Sequence, residues 1–339
     1  MTGDDRLDSV LADATWLTHR YDAERDQFQM RHLTREQHDA ATFITDEYLG
    51  VAEDIVAIDR TNAVASIGHD NDLHFIIHSA FCASTMFARA FNLPGVSMGL
   101  KEPVLLNDIV GWRRRGAHRA QVAERLDHAL HMLARPFGSD KAVIVKPSNV
   151  FNSLVPLALA MRQQSKAVLL YAPLPVFLVS VARKGLWCRL WCRELLEGLI
   201  TDGAVDLGFE ARDYFRQSDL QVAAVGWLAQ HQLFHKIAGQ FGPDRVATLD
   251  SEQLTGKPIE RVAAAARHFG LDISEAQLIN HPAFGTHSKF GGSFRTDDRL
   301  AEHAAARSAY GEEIEMVLHW AEQVAKTAEI SMELPFALR

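Results

Sequence analysis

Cysteine is scarce: Cys82, Cys188 and Cys192 are the only three in 339 residues. A disulfide framework of the kind that staples small secreted scaffolds is therefore excluded. Long apolar runs are also lacking. The longest, 167–181, contains Tyr171, Pro173 and Pro175, and is too short and too broken to cross a bilayer. It fits a strand, a turn and the start of a helix. Positive charge is in deficit, with a net charge of −8 and a pI near 6.0. A surface that holds polyanions nonspecifically is not expected from that balance, so any anion site must be local. No basic-then-apolar leader pattern is visible. The expectation is a soluble cytoplasmic protein with neither nucleic acid nor membrane as a partner. What is present is ordinary globular composition, 47% hydrophobic and 23% charged, with ample material for one large α/β domain or two smaller ones.

Residues 1–70 read as a polar, mostly helical N-terminal extension packed over the core. Leu7, Val10, Leu11 and residues 14–17 share one helical face, and Thr34 with Gln37 three residues on forms a capping signal. From 71 to 339 the pattern changes to short apolar runs alternating with helical stretches. Strands are expected at 73–78, 96–100, 142–146, 167–171 and 246–249. Helices are expected at 84–91, 117–134, 153–163, 175–183, 186–199, 209–240, 258–269 and 297–328. Such alternation implies crossover connections and a buried parallel sheet. Ligands in these sheets sit beyond the carboxyl ends of the strands.

The stretch that organises the chain is 73–91. An apolar strand runs into the small, polar segment 79–85, and a helix with Met86, Phe87, Ala90 and Phe91 on one side follows. Such a turn gathers backbone N–H groups and two hydroxyls, Ser84 and Thr85, around one point where a phosphate or sulfate can be held. The competing reading is a turn that binds nothing, with Ser84 or Thr85 as an N-cap. Cys82 in this turn is either a thiol activated by the helix N-terminus or a small buried filler. Lys101 and Lys146 end two successive strands. A buried lysine needs an anion, which is either a ligand or a nearby carboxylate such as Glu102. Ser180 and Arg183 lie one turn apart on the helix after the fourth strand. A loop at 287–295 holds His287, Lys289, Gly291, Gly292 and Arg295. It is either a flap over a phosphate or a solvated connector.

Other patterns point to packing. His231 and His235 have zinc-ligand spacing without a third ligand. The tandem 186–193 puts Leu186 with Leu190, Trp187 with Trp191 and Cys188 with Cys192 at i, i+4 spacing; the cysteines could bind metal, but the preferred reading is a stacked Trp/Leu face against the core. Arg113, Arg114 and Arg115 read as a surface run.

Together these landmarks resemble the bacterial branch of the sulfotransferase family, over residues 73 to the final helix. That family's phosphosulfate loop typically reads Arg-Ser-Gly-Ser-Thr before an apolar helix, and the aligned residues here are Phe81, Cys82, Ala83, Ser84 and Thr85, then Met86. Lys101-Glu102-Pro103 is similar to the Lys-Glu-Pro that often follows the second strand. Residues 167–183 are similar to the segment that holds the donor's 3′-phosphate, with Ser180 at the serine position. Residues 250–269 are similar to the acidic-Leu segment and Pro-led helix after the last strand, and 288–295 falls where the family closes a basic loop over the nucleotide. The sequence departs from the family in two places. Phe81 and Ala83 replace the loop's basic residue and glycine, and Tyr171 or Ala172 stands where an arginine usually begins the 3′-phosphate segment. Arg183, Arg189 and Arg193 on the following helices are the cations read as able to substitute.

The resemblance implies a P-loop kinase-like α/β fold with a parallel five-stranded sheet. It implies 3′-phosphoadenosine-5′-phosphosulfate as donor, with no metal expected, and transfer of a sulfuryl group to a hydroxyl or amine of a small-molecule acceptor. Cys82, Ala83, Ser84, Thr85, Met86, Lys101, Lys146, Ser180, Arg183, Lys289 and Arg295 are its expected donor-binding residues. Glu102 is the first choice for catalytic base, then His78 and His287. Two other readings remain open at this stage. One is a degenerate relative that binds a nucleotide or a partner without catalysis. The other is a phosphotransferase, which would want a lysine in the loop and a metal-supporting aspartate after the third strand.

Overall fold

The computed structural model describes residues 3–52, 54–68, 71–204, 206–284 and 296–338. Its eight strands are β1 (Trp16–Asp22), β2 (Gln27–His32), β3 (Ile55–Asp59), β4 (Asp72–His78), β5 (Ser97–Lys101), β6 (Ala142–Lys146), β7 (Ala167–Tyr171) and β8 (Val246–Asp250). The last five form one parallel sheet in the order β5-β6-β4-β7-β8. Each of the five expected strands is present, with ends that differ by at most one residue. β5, β6 and most of β4 and β7 are buried on both faces, which explains why they read as continuous apolar runs without alternation. Ile76, Ile144 and Leu170 face one core, and Phe75, Ile77, Val145 and Leu169 face the other.

Both sheet edges are covered, which removes the hazard of open strand edges. On the β8 side the C-terminal segment pairs with Thr248, whose N–H donates to Phe336 O at 2.9 Å and whose carbonyl accepts from Leu338 N at 2.8 Å. On the β5 side Ile44 N donates to Lys101 O at 2.7 Å.

The N-terminal region corrects the helical expectation. Short helices are present, but residues 16–59 carry a three-stranded antiparallel sheet, β1-β2-β3. Phe28 and Met30 on β2 alternate inward, as a half-buried strand requires. A bulge between Thr18 and Arg20 breaks the period of β1, so Leu17, Thr18 and His19 are buried in succession. That break hides the strand from a periodicity reading. The sheet is fastened to the Val104–Arg114 helix by Arg20, whose Nε and Nη2 each reach an Asp108 carboxylate oxygen at 2.8 Å. Elsewhere, the single helix expected over 209–240 is two, Ala211–Tyr214 and Asp219–Phe241, because the Ser218–Gln221 capping box starts a new helix. The Pro258–Phe269 helix stands where expected. Among the described residues, no helix is long and apolar enough to cross a membrane.

Gly99, in the middle of β5, sets the distance to the Ser84–Arg89 helix. A Cβ there would lie 2.5 Å from the backbone oxygen of Ala88. Gly99→Ala should destabilise the fold by about 1–3 kcal/mol, because backbone must move to admit the methyl group. A urea midpoint equal to that of the parent would show that the helix is free to shift.

Candidate functional site

β4 ends at His78, and the chain turns through Ser79–Ala83 into the Ser84–Arg89 helix. Three non-glycine residues of this loop have left-handed backbone: Ala80 (φ 74°), Phe81 (φ 52°) and Ala83 (φ 60°). Each such residue costs about 1–2 kcal/mol, so the surrounding contacts must impose the loop's shape. Ser79 N donates to Leu170 O at 3.1 Å, and Ser79 Oγ accepts from Ala172 N at 3.3 Å. Ala80 N donates to His78 Nδ1 at 3.2 Å. The N–H groups of Phe81, Cys82, Ala83, Thr85 and Met86 have no acceptor among the described residues. Ser84 and Thr85 are buried beside them. Backbone that alternates through left-handed residues with its N–H groups open forms an anion-binding concavity. Cys82 is buried, and burial pushes its thiol up to about 11 against the opposing charge of Lys146. The filler reading therefore holds, and the activated-thiol reading does not.

Three strand ends meet beside this loop. Glu102 has left-handed backbone (φ 54°), which turns its carboxylate back over β6 to form an ion pair with Lys146 Nζ. Lys146 is 1% exposed and lies 5.0 Å from the Phe43 ring centroid. The carboxylate reading of Lys146 is the one realised. His78 Nε2 lies 3.8 Å from Glu102 Oε1 and 3.1 Å from Pro147 O. Because Nδ1 accepts from Ala80 N, the proton sits on Nε2. His78 is thus occupied in shaping the loop, with neither ring nitrogen left as a base. Its own carbonyl accepts from Asn152 Nδ2 at 3.0 Å.

Lys101 departs from expectation. Its ammonium donates to the carbonyls of Asp39 (3.1 Å) and Ala41 (2.5 Å). It fastens the N-terminal region to β5. Burial, aided by the charge of Arg89, lowers its pKa to about 8. Ser180 is buried on the Leu174–Lys184 helix, and Arg183 is exposed near that helix's end. Arg189 pairs with Glu313 at 3.8 Å, and Arg193 binds Asp219 at 2.7 Å, so neither stands in for a missing donor cation. His287, Lys289 and Arg295 lie outside the described residues.

Two features of the site escaped the sequence reading. Phe81 is the hub of an aromatic cluster, with Phe177 at 5.7 Å and Trp191 at 5.6 Å between ring centroids. Lys184 Nζ lies over the same ring, 5.5 Å from its centroid. The signal for Lys184 is its i+4 spacing from Ser180, which puts the two on one helix face. The Leu/Trp face of the 186–193 tandem corrects the sequence reading: Leu186, Trp187 and Leu190 are exposed, and the side turned to the core is that of Cys188 and Cys192. His231 stacks on Trp227 at 4.2 Å, and Trp227 Nε1 donates to Ala172 O at 2.8 Å. Cys188 and Cys192 are buried. The arginine run is less of a surface feature than expected, since Arg113 and Arg114 both bind Asp202.

No family model and no curated protein matches the chain. Among solved structures it is similar to a sulfotransferase domain of a Synechococcus olefin synthase, at 14% identity, TM-score 0.40, covering 71% of this chain and 90% of that one. It is similar to a sulfotransferase domain from the curacin biosynthetic pathway, at 13% identity and TM-score 0.42, covering 79% of this chain and 100% of that one. A sulfotransferase from Mycobacterium tuberculosis matches at 14% identity and TM-score 0.42, over 76% of this chain and 77% of that one. Likeness at this level of identity concerns the fold and not the chemistry.

Proposed function

We propose that this chain binds 3′-phosphoadenosine-5′-phosphosulfate and transfers its sulfuryl group to a hydroxyl or amine of a small-molecule acceptor. The observation that supports this is the Ser79–Met86 segment, left-handed at Ala80, Phe81 and Ala83, with its open N–H groups beyond the central strand. Those N–H groups, with Ser84 and Thr85, would hold the 5′-phosphosulfate, and Ser180 the 3′-phosphate. The acceptor oxygen or nitrogen attacks sulfur in line, and the bond from sulfur to the bridging phosphate oxygen breaks. The adenosine bisphosphate leaves with the bond's electrons. Glu102, at the end of β5 beside the loop, takes the acceptor proton. Phe43 and Tyr48, packed edge to face at 5.2 Å, stand on the Glu102–Lys146 side and would form part of the acceptor wall.

A second reading has its own support. Glu102 and Lys146 already satisfy each other, which suits a protein that binds the nucleotide without turning it over. Calorimetric titration with adenosine 3′,5′-bisphosphate should show micromolar binding in either case. Absence of binding at millimolar ligand would remove both readings. The double variant Ser84→Ala/Thr85→Ala should abolish the binding, and an unchanged affinity would move the phosphate site elsewhere. Loss of radiolabelled sulfate from the donor separates transfer from simple binding.

A further inference from the structure

We propose that Lys184 restores in space the cation that the loop lacks in sequence, and that its ammonium holds the anion bound by the loop N–H groups. This rests on the anion-loop reading above and names a residue that the reading did not use.

The geometry is specific. Phe81 occupies the loop position where a basic side chain would neutralise the anion, and its ring is held by Phe177 and Trp191. Lys184 Nζ lies 5.5 Å from the centroid of that ring and 6.0 Å from the centroid of Trp187. Phe177, Ser180 and Lys184 follow one another at i, i+3 and i+7 along the Leu174–Lys184 helix. That spacing places all three on one face, and Phe177 shows that this face meets the loop. The helix thus brings a hydroxyl and an ammonium onto the face that meets the Phe81 ring of the loop.

Among the described residues Lys184 has no carboxylate partner, in contrast to Lys146, Arg189 and Arg193. Its ammonium lies over two aromatic faces, with the buried Cys188 thiol nearby. Burial, with the neighbouring charge of Arg183, lowers its pKa. An ammonium held over rings in a half-buried position keeps N–H donors that the rings do not satisfy, and an anion at the loop meets that need. A lysine at this helix end also complements the helix dipole. That role alone would make its loss a matter of stability and not of ligand affinity.

The test is calorimetric titration of the full chain, as parent, Lys184→Met and Lys184→Arg. Adenosine 3′,5′-bisphosphate and inorganic pyrophosphate serve as separate ligands, and thermal unfolding is measured in parallel. Lys184→Met should weaken binding by about tenfold to a hundredfold, the loss of one charge-assisted hydrogen bond. Lys184→Arg should recover most of it. Equal affinity in parent and Lys184→Met, with the bisphosphate still bound, overturns the role of Lys184 and leaves the loop reading standing. Pyrophosphate binding that Lys184→Met removes, in a parent that ignores the bisphosphate, supports the lysine and overturns the nucleotide. A parent that binds neither ligand overturns both. A fall in unfolding temperature with unchanged affinity shows a structural lysine and also overturns the proposal.

Discussion

Acid should unfold this protein well above the range in which carboxylates titrate. His38, His74 and His231 are 1%, 3% and 2% exposed. Burial lowers the pKa of His38 to about 3, helped by the charges of Lys101 and Arg35. Burial lowers His74 to about 4, helped by Lys166, and His231 to about 4. The unfolded chain would protonate all three near 6.5. Between those values the unfolded state binds more protons than the folded state, so stability must fall as pH falls. It is complete above about pH 6.5 and declines towards pH 4 with a slope approaching about 4 kcal/mol per pH unit, three protons at 1.36 kcal/mol each. The loss reaches about 10 kcal/mol by pH 4, so a domain in the lower or middle part of the usual range of about 5–15 kcal/mol unfolds within this window.

His38 provides the control. Both of its ring nitrogens are buried without a partner among the described residues, and its ring packs edge-on against Phe137 at 5.1 Å. Replacing it by leucine removes a titrating group and strands no hydrogen-bond partner. His38→Leu should stay close to the parent at pH 7.5 and exceed it at pH 5, with the slope reduced by about a third, one proton of three. Urea midpoints from pH 7.5 to 5 measure both. A parent whose midpoint is flat across that interval would mean that these histidines reach water.

The parallel sheet was legible in the sequence because its strands are buried on both faces and bounded by turn residues, so no side-chain period was needed to find them. The β1–β2 hairpin was not, because its bulge sets Thr18 and His19 inward side by side and mimics a helical pattern. At the site, the loop's place followed from strand-to-helix order, and Ser84 and Thr85 from residue type. The fates of the two lysines were not readable. Lys101 and Lys146 occupy equivalent strand ends, in register with each other on neighbouring strands. Yet one ammonium meets N-terminal carbonyls and the other meets Glu102. That difference depends on the N-terminal segment lying against β5, a contact between residues far apart in sequence. Lys184 was missed for a related reason. Helical spacing from Ser180 allowed both Arg183 and Lys184, and only the rotation of the helix against Phe81 selects between them.

Lys146→Ala should be the most damaging single substitution at the site. Its ammonium is sealed between Glu102 and the Phe43 ring, and the Glu102 side chain is itself only 17% exposed. Removing one partner of a buried pair leaves the other charged and poorly solvated, at a cost of about 3–5 kcal/mol. His78 Nε2, 3.8 Å from Glu102 Oε1, is already bound to Pro147 O and does not replace the lysine. Lys146→Met keeps the apolar stem against Phe43, so its cost isolates the charge, and Lys146→Ala adds the cavity. The double variant Lys146→Met/Glu102→Gln removes both charges and should recover a large part of the loss. Urea unfolding at pH 7.5 of Lys146→Met, Glu102→Gln and the double variant closes the cycle. If the pair is as desolvated as its burial implies, the coupling exceeds about 1 kcal/mol, the upper range of exposed ion pairs. A smaller coupling would mean that water reaches Glu102. The carboxylate would then be free of its lysine in solution and better placed to take a proton, which would favour the catalytic reading of the site over the binding-only one.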